Sequence, residues 1–190
     1  MTQNNEKKYS RKHRLIGLDP GLKYLGWGVI EVEQNRLTHI ANGSIMSDAK
    51  MSLPERLLEL EIGLEHVFDT WQPEQAAVEE TFVNRNGNAT LRLGQARAIC
   101  LLVPARRHLP IAEYAPNFIK RTVTGAGHAD KQQMQSMVNM LLPQARPENE
   151  HACDALAIAI AHAHGGDIDN KLLMARNAIM NKDIIDKESA

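Results

Sequence analysis

A helix that is apolar on almost every side constrains this chain more than any other feature of its sequence. It runs from Ala152 to His164, reads ACDALAIAIAHAH, and is ended by Gly165-Gly166. A helix without a polar face has to be buried against other elements on all sides. One carboxylate, Asp154, lies within it, and a charge in such a place needs a partner or a cation. The segment therefore predicts a layered architecture in which other elements cover this helix, and it favours a functional role for Asp154.

The remaining patterns predict the sheet and the other helices. Apolar runs bounded by turn residues predict five strands, at Leu15–Leu18, Leu25–Glu33, Leu37–Ile45, Gln75–Glu79 and Ile111–Tyr114. Helical spacing of apolar residues predicts four helices before the last one, at Leu53–Phe68, Thr90–Val103, Pro116–Thr124 and Ala129–Leu142. The first three strands should form an antiparallel meander. This order predicts an α/β fold, with a mixed five-stranded sheet and helices on both faces.

The length of 190 residues suits one domain. We expect residues 1–14 to be a basic flexible extension, residues 15–166 the folded domain, and residues 167–190 a loosely ordered tail. The first residues are polar and basic, and no apolar run reaches the length of a transmembrane helix, so we expect a cytoplasmic protein. Cys100 and Cys153 lie in apolar runs, which predicts reduced thiols rather than a disulfide.

The net charge of −1 hides a strong segregation of charge along the chain. Residues 84–131 carry eight basic and two acidic side chains, whereas residues 47–80 carry nine acidic and two basic ones. Such a division is expected when one face of a protein meets phosphate and another does not. Surface helices also segregate charge by chance, so the pattern favours a nucleic-acid partner only slightly.

Several acidic residues stand where buried elements end or begin. Asp19 ends the first strand, and Glu79 and Glu80 end the fourth, where only one of two adjacent residues can face a given side of the sheet. His151 and Asp154 open the last helix, three residues apart and so on one helix face. Each has an ordinary structural explanation, because Asp-Pro-Gly makes a good turn and an acid suits a helix start.

Three acids from remote positions, each at the end of a buried element, are what a two-metal phosphoryl-transfer site requires. Mg²⁺ prefers hard oxygen ligands and keeps several waters. Two such ions about 4 Å apart can activate the attacking water and stabilise the leaving oxygen. The pattern therefore predicts a metal-dependent hydrolase that acts on phosphodiesters, with Asp19, Asp154 and one glutamate as ligands.

Four segments together resemble the RuvC family of bacterial Holliday junction resolvases. They are GLDPGLKYLGWGVIE, AVEETFVNRNGNATLRLGQARA, EYAPNFIKRTVTGAGHADKQQMQSMV and HACDALAIAIAH. The resemblance covers the chain from about Leu15 to His164. The first segment alone is weak, but its combination with LGQAR, GAGHADK and DALAIAIAH is highly specific.

The resemblance implies a ribonuclease H-like fold and a homodimer that makes paired symmetric nicks in four-way DNA junctions. It also implies dependence on Mg²⁺ or Mn²⁺, with two ions per active site, and cooperation with the branch-migration proteins RuvA and RuvB in recombination and repair. Asp19, Glu79 and Asp154 match the family's metal ligands, with Glu79 rather than Glu80 as the second. The helix Thr90–Val103 matches the family's dimer-interface helix.

The resemblance also implies residues that contact DNA. Phe82 matches the aromatic residue that stacks on an unpaired base at the junction centre; a core phenylalanine is the alternative, but its place next to the NRNGN loop favours exposure. Lys120 and Lys131 match basic residues beside the scissile phosphate, and Arg85 and Arg92 are weaker candidates for contacts with the backbone. Arg106 and Arg107 are better explained as solvated surface residues.

One position departs from an all-carboxylate site. His151 stands where some members of the family carry Asp and others carry His. Imidazole suits Mn²⁺ better than Mg²⁺, so we expect more activity with Mn²⁺. A histidine titrates near neutral pH and could also transfer a proton.

Three other interpretations compete with a resolvase. YqgF-like nucleases share an Asp-x-Gly start but are shorter, and we would not expect LGQAR or DALAIAIAH in them. A catalytically silent junction-binding protein would use the same groove, but it would have substituted acids. An actin-like ATPase also begins with an Asp near a Gly-rich turn, yet 190 residues leave no room for its second lobe.

Overall fold

The sheet has five strands in the order β3-β2-β1-β4-β5. The computed structural model describes residues 12–81 and 87–165. The strands are β1 (His13–Asp19), β2 (Tyr24–Glu33), β3 (Arg36–Met46), β4 (Gln75–Glu79) and β5 (Ile111–Tyr114). The first three are antiparallel neighbours, whereas β4 pairs in parallel with both β1 and β5. The predicted mixed five-stranded sheet with an antiparallel meander is confirmed.

Five helices are described along with this sheet. They are α1 (Leu53–Trp71), α2 (Gly87–Arg106), α3 (Pro116–Thr124), α4 (Lys131–Leu141) and α5 (150–165). Helix α4 begins later than predicted because Asp130 caps it: the Asp130 carboxylate accepts the backbone N–H of Gln133 at 2.8 Å. Helix α2 continues through Pro104 in its last turn, where the missing N–H removes one intrahelical hydrogen bond.

Two apolar cores cover opposite faces of the sheet. Alternate strand residues such as Ile16 and Leu18 pack with α1 and α2. Their neighbours, including Leu15 and Ala77, pack with α3, α4 and α5. The two cysteines are free and buried, Cys100 in the first core and Cys153 in the second. The expected helices on both faces and the expected free thiols are therefore present.

Helix α5 lies directly against the backbone of β1 and β2 because glycines line its path. A Cβ atom on Gly17 would lie 2.1 Å from the carbonyl oxygen of Ala155, and one on Gly26 would lie 2.1 Å from that of His151. A Cβ atom on Gly28, which pairs with Gly17 across the two strands, would lie 2.8 Å from the Leu156 side chain and 2.9 Å from its backbone nitrogen. Only residues without a side chain allow this approach, and it brings the start of α5 to the end of β1.

The charge segregation along the chain has an internal explanation that the sequence did not reveal. Arg106 forms an ion pair with Glu61, and Arg107 forms ion pairs with Glu65 and Asp69, so α2 and the residue after it bind the acidic face of α1. These arginines are therefore paired rather than simply solvated. Part of the positive charge of residues 84–131 neutralises the negative charge of residues 47–80 and is not directed at phosphate.

Some predictions fall on residues outside the described ranges. The proposed extension lies there except for residues 12–14, of which His13 and Arg14 belong to β1. The proposed tail, residues 167–190, also lies there, as do Phe82 and Arg85. Among the described helices, none is long and apolar enough to span a membrane.

Candidate active site

Two of the predicted acids meet at one end of the sheet. Asp19 is the last residue of β1 and Glu79 the last of β4, and these strands are parallel neighbours, so both carboxylates lie at the same edge. Asp19 is in phase with Leu15 and Gly17, and Glu79 is in phase with Ala77, which places both on the α5 side. Strand parity thus selects Glu79 over Glu80, as the family motif does.

The first turn of α5 carries the other two candidates to the same edge. Asn149 caps this helix: its side-chain oxygen accepts the backbone N–H of Ala152 at 3.0 Å. Its amide nitrogen also donates to Ser44 Oγ at 2.7 Å, which ties the helix start to β3. His151 and Asp154 follow the cap and lie on the same face of the helix.

His151 is held directly against the first acid. Its Nδ1 lies 2.8 Å from Asp19 Oδ2, and this hydrogen bond is the main cause that raises the pKa of His151. The ring of Tyr24 stacks on the His151 ring, with centroids 5.5 Å apart and planes 26° apart. Tyr24 is a contact that the sequence analysis missed, because nothing in the pattern of β2 distinguishes it from an ordinary strand aromatic.

The carboxylates repel one another in a partly buried space. Burial, followed by the negative charges of Asp19 and Asp154, raises the pKa of Glu79 to about 7. Burial, followed by the charge of Asp19, raises the pKa of Asp154 to about 6. A cluster of acids whose charged forms are disfavoured by desolvation and by each other is a place where a bound cation stabilises ionisation.

Two lysines complete the site. Glu79 and Asp154 line a cavity of about 500 Å³ together with Lys120 of α3 and Lys131 of α4. The charge of Lys120 lowers the pKa of Glu79, and that of Lys131 lowers the pKa of Asp154, although burial and the neighbouring acids outweigh both effects. Acids and ammonium groups therefore line one cavity, which suits a phosphate bound through both metal ions and lysines.

The site fits a divalent metal as an open site rather than as a closed cage. Within residues 12–81 and 87–165, no three His, Cys, Asp or Glu side chains converge as a ready-made cage around one point. Mg²⁺ does not require such a cage, because it is usually held by one or two carboxylates while water and substrate phosphates complete its shell. The hard oxygen donors and their mutual repulsion fit such an open site.

Comparison with known proteins identifies the family of the chain. The family model described as "Crossover junction endodeoxyribonuclease RuvC" matches residues 15–162. The chain is 56% identical to the enzyme of that name from Parvibaculum lavamentivorans over 160 residues, which is 84% of this chain and 91% of the relative. The protein belongs to the RuvC family.

Two solved structures have the same fold. A T. thermophilus RuvC in complex with a Holliday junction substrate superposes with a TM-score of 0.77 at 28% identity, covering 83% of this chain and 96% of that one. The yeast mitochondrial Holliday junction resolvase Ydc2 superposes with a TM-score of 0.58 over 84% of this chain and 82% of that one, but at 12% identity it supports the fold alone. The predicted ribonuclease H-like fold is confirmed.

Of the other residues that the RuvC motifs suggested, one does not line this cavity and two fall outside the described part. Arg92 is exposed on α2, and neither of the two lysines shares that helix. Phe82 and Arg85 fall in residues 82–86, outside the described ranges. A second residue that the sequence analysis missed is Glu150, which contacts Lys131; its place beside His151 was the only sequence signal.

We expect the metal-free protein to lose stability as the pH rises from about 5 to about 8. The pKa values of Glu79 and Asp154 are about 7 and about 6 in the folded state, above the value of about 4 for such groups in an unfolded chain. The folded state therefore binds more protons in this window, so the stabilisation is present at low pH and is lost as the pH rises through the folded pKa values. Glu79→Gln should raise the free energy of unfolding at pH 8 by about 1–3 kcal/mol.

Urea unfolding in EDTA at pH 4, 6 and 8 measures this effect. The matched control is Glu80→Gln, which removes the same charge from the next residue and should leave the pH dependence unchanged. Equal pH slopes for Glu79→Gln and the parent protein would contradict the prediction.

Proposed function

We propose that this protein is a Holliday junction resolvase, a dimeric endodeoxyribonuclease that nicks two strands of a four-way junction symmetrically. The observation that carries the proposal is the family match over residues 15–162 together with three acids at one edge of the sheet. The bound junction in the T. thermophilus RuvC structure supports the choice of substrate. A resolvase of this kind acts in DNA recombination and repair.

The metal ligands proposed are Asp19, Glu79 and Asp154, with His151 as a fourth member of the site. RuvC nucleases are metal-dependent, and we propose two Mg²⁺ or Mn²⁺ ions per active site. When bound, the metal lowers the pKa of the attacking water and stabilises the leaving oxygen. Glu79 has to release its proton before it can act as a ligand, because its pKa of about 7 leaves it partly protonated near neutral pH.

We propose that His151 orients Asp19 and moves a proton. Its Nδ1 is engaged by Asp19, so the ring plane is held between the carboxylate and Tyr24. The raised pKa keeps a larger share of the ring protonated near neutrality than an isolated histidine would have. When it is not bound to a metal, such a group can donate a proton to an oxygen on the substrate.

Contacts with DNA are assigned to basic and aromatic residues around the acids. Lys120 and Lys131 line the cavity and are proposed to bind phosphates at the scissile position. Arg85 and Arg92 are proposed to contact the backbone further away. Phe82 is proposed to stack on an unpaired base, which contributes about 1–3 kcal/mol per base.

The dimer is proposed to form through α2. Leu91, Gly94, Ala98 and Leu102 recur at helical spacing on one face of α2 and are all exposed, with Leu91 63% and Leu102 43% exposed. An exposed apolar stripe of this kind is suited to pack against its copy in a C₂ dimer. A two-fold dimer offers two equivalent sites to two equivalent strands, and RuvA and RuvB are proposed as partners at the junction.

The test is a cleavage assay with a synthetic four-way junction and a linear duplex of matched sequence, with and without Mn²⁺. Paired symmetric nicks in the junction alone are expected, together with a dimer mass by light scattering. Binding without nicks would support the silent module, and nucleotide hydrolysis would support the ATPase. Retention of all three acids argues against the silent module, and the RuvC match over residues 15–162 argues against the YqgF-like nucleases and the ATPase.

We expect Mn²⁺ to support faster cleavage than Mg²⁺, because His151 adds a nitrogen donor to a set of oxygen donors. His151→Asp should lower the ratio of the two rates, since it restores an all-carboxylate site. Cleavage rates are measured at saturating concentrations of each metal at one pH. Equal rates with the two metals, or an unchanged ratio in His151→Asp, would contradict the expectation.

A further inference from the structure

An exposed acid holds one of the lysines at the candidate active site. Glu150 Oε2 lies 2.6 Å from Lys131 Nζ, and the two side chains are 57% and 81% exposed. The contact joins the first residue of α4 to the first residue of α5. Both pKa values reflect it: the pKa of Lys131 is raised and that of Glu150 is lowered, in each case chiefly by the hydrogen bond between them.

This ion pair lies beside the acids. Lys131 lines the cavity with Glu79 and Asp154, and Glu150 lines the adjoining one with Asp154. The negative charge of Glu150 raises the pKa of Asp154, whereas Lys131 lowers it. Glu150 therefore neutralises a positive charge at the point where a phosphate would approach the acids. A phosphate oxygen and the Glu150 carboxylate make the same kind of hydrogen bond to an ammonium group, so they compete for Lys131.

We propose that Glu150 is a specificity-determining residue that occupies Lys131 until a DNA phosphate displaces it. The proposal rests on the proposed function. As a consequence, a phosphate of any DNA has to compete with the Glu150 carboxylate for Lys131, so DNA that is held by Lys131 alone binds weakly. A junction that engages the rest of the site displaces Glu150, whereas a duplex held by few phosphate contacts does so less completely. Glu150 thereby lowers the affinity for duplex DNA more than the affinity for a junction.

The test compares Glu150→Gln with Glu148→Gln in the full-length protein. Glu148 is an exposed acid two residues earlier on the same segment, and it lines the same adjoining cavity. Binding of a fluorescent duplex and a fluorescent four-way junction is measured in EDTA over a range of salt concentrations. Glu150→Gln is expected to increase duplex affinity by about two- to fivefold, with a smaller increase for the junction. Its salt dependence should steepen by up to about one unit of slope for the freed ammonium group.

A double-mutant cycle separates the ion pair from a general charge effect. In a Lys131→Met background, Glu150→Gln should change duplex affinity no more than Glu148→Gln does. Thermal unfolding of Glu150→Gln checks that α5 is intact, since an acid at a helix start also contributes to helix stability. If the parent protein binds and cuts the junction but Glu150→Gln and Glu148→Gln behave alike, the inference is overturned and the function stands. If the parent protein shows no preference for the junction, the proposed function fails and the inference fails with it.

Discussion

Asp154→Asn is expected to slow junction cleavage by about 10³-fold or more, which corresponds to about 4 kcal/mol of transition-state stabilisation. The substitution keeps the size of the side chain but removes the charge that would hold a cation at the start of α5. Asp19→Asn should have an effect of the same size, although an amide oxygen can still accept a hydrogen bond from His151. The measurement is single-turnover cleavage of a labelled four-way junction at saturating Mn²⁺.

Junction binding should survive in both variants. Each substitution removes a negative charge from the site, so affinity for DNA is expected to remain or to rise. Glu80→Gln serves as the matched control. Glu80 directly follows Glu79 at the end of β4, but adjacent residues of a strand face opposite sides of the sheet. A parental cleavage rate in Asp19→Asn or Asp154→Asn would overturn the assignment of these carboxylates.

Gly17→Val is expected to destabilise the protein by about 3 kcal/mol or more. Even a Cβ atom at this position would lie 2.1 Å from the carbonyl oxygen of Ala155 and 2.6 Å from the backbone nitrogen of Ala159. These are backbone atoms of a buried helix and cannot move aside singly, so α5 as a whole has to shift. Asp154 moves with that helix away from Asp19, and a displacement of about 1 Å in a catalytic group can cost about 10²-fold in rate.

The matched control is Gly127→Ala, because a Cβ atom on Gly127 would meet no heavy atom within 4 Å. That variant should keep the parental stability or gain up to about 1 kcal/mol from the lower entropy of the unfolded chain. Urea unfolding monitored by far-UV circular dichroism measures both variants, and the cleavage assay follows. If Gly17→Val unfolds like the parent protein, the close approach of α5 to β1 does not stabilise the packing of α5 against the sheet.

Much of the fold could be read from local patterns. The strands Gln75–Glu79 and Ile111–Tyr114 and the helix Pro116–Thr124 begin and end where the apolar spacing and the turn residues predict. The errors lie at the ends of elements: β1 begins at His13 rather than Leu15, and at two helix starts a side chain rather than the apolar pattern decides the boundary. Asp130 delays the start of α4, and the Asn149 cap starts α5 two residues earlier than predicted.

Charge was the least informative of the sequence patterns. The segregation of acidic and basic residues suggested a phosphate-binding face, yet Arg106 and Arg107 bind the acids of α1. Linear charge counts cannot separate these cases, because an ion pair between two helices and a contact with DNA draw on the same residues. The two lysines at the acids were found from the family motifs and not from the charge count.

The sequence by itself determined that a helix apolar on nearly all sides, with Asp154 near its start, had to be buried against a sheet, because burial is the only stable solution for such a surface. It also determined that Asp19 and Glu79 end strands. Only the tertiary structure decided that these ends are adjacent, since parallel pairing of β1 and β4 joins residues far apart in the chain. Because Gly17 and Gly26 have no side chains, α5 lies close enough to the strands for His151 to contact Asp19. The starts of α4 and α5 lie close enough for Glu150 to contact Lys131. Such contacts depend on the path of the chain in space, which local sequence patterns do not encode.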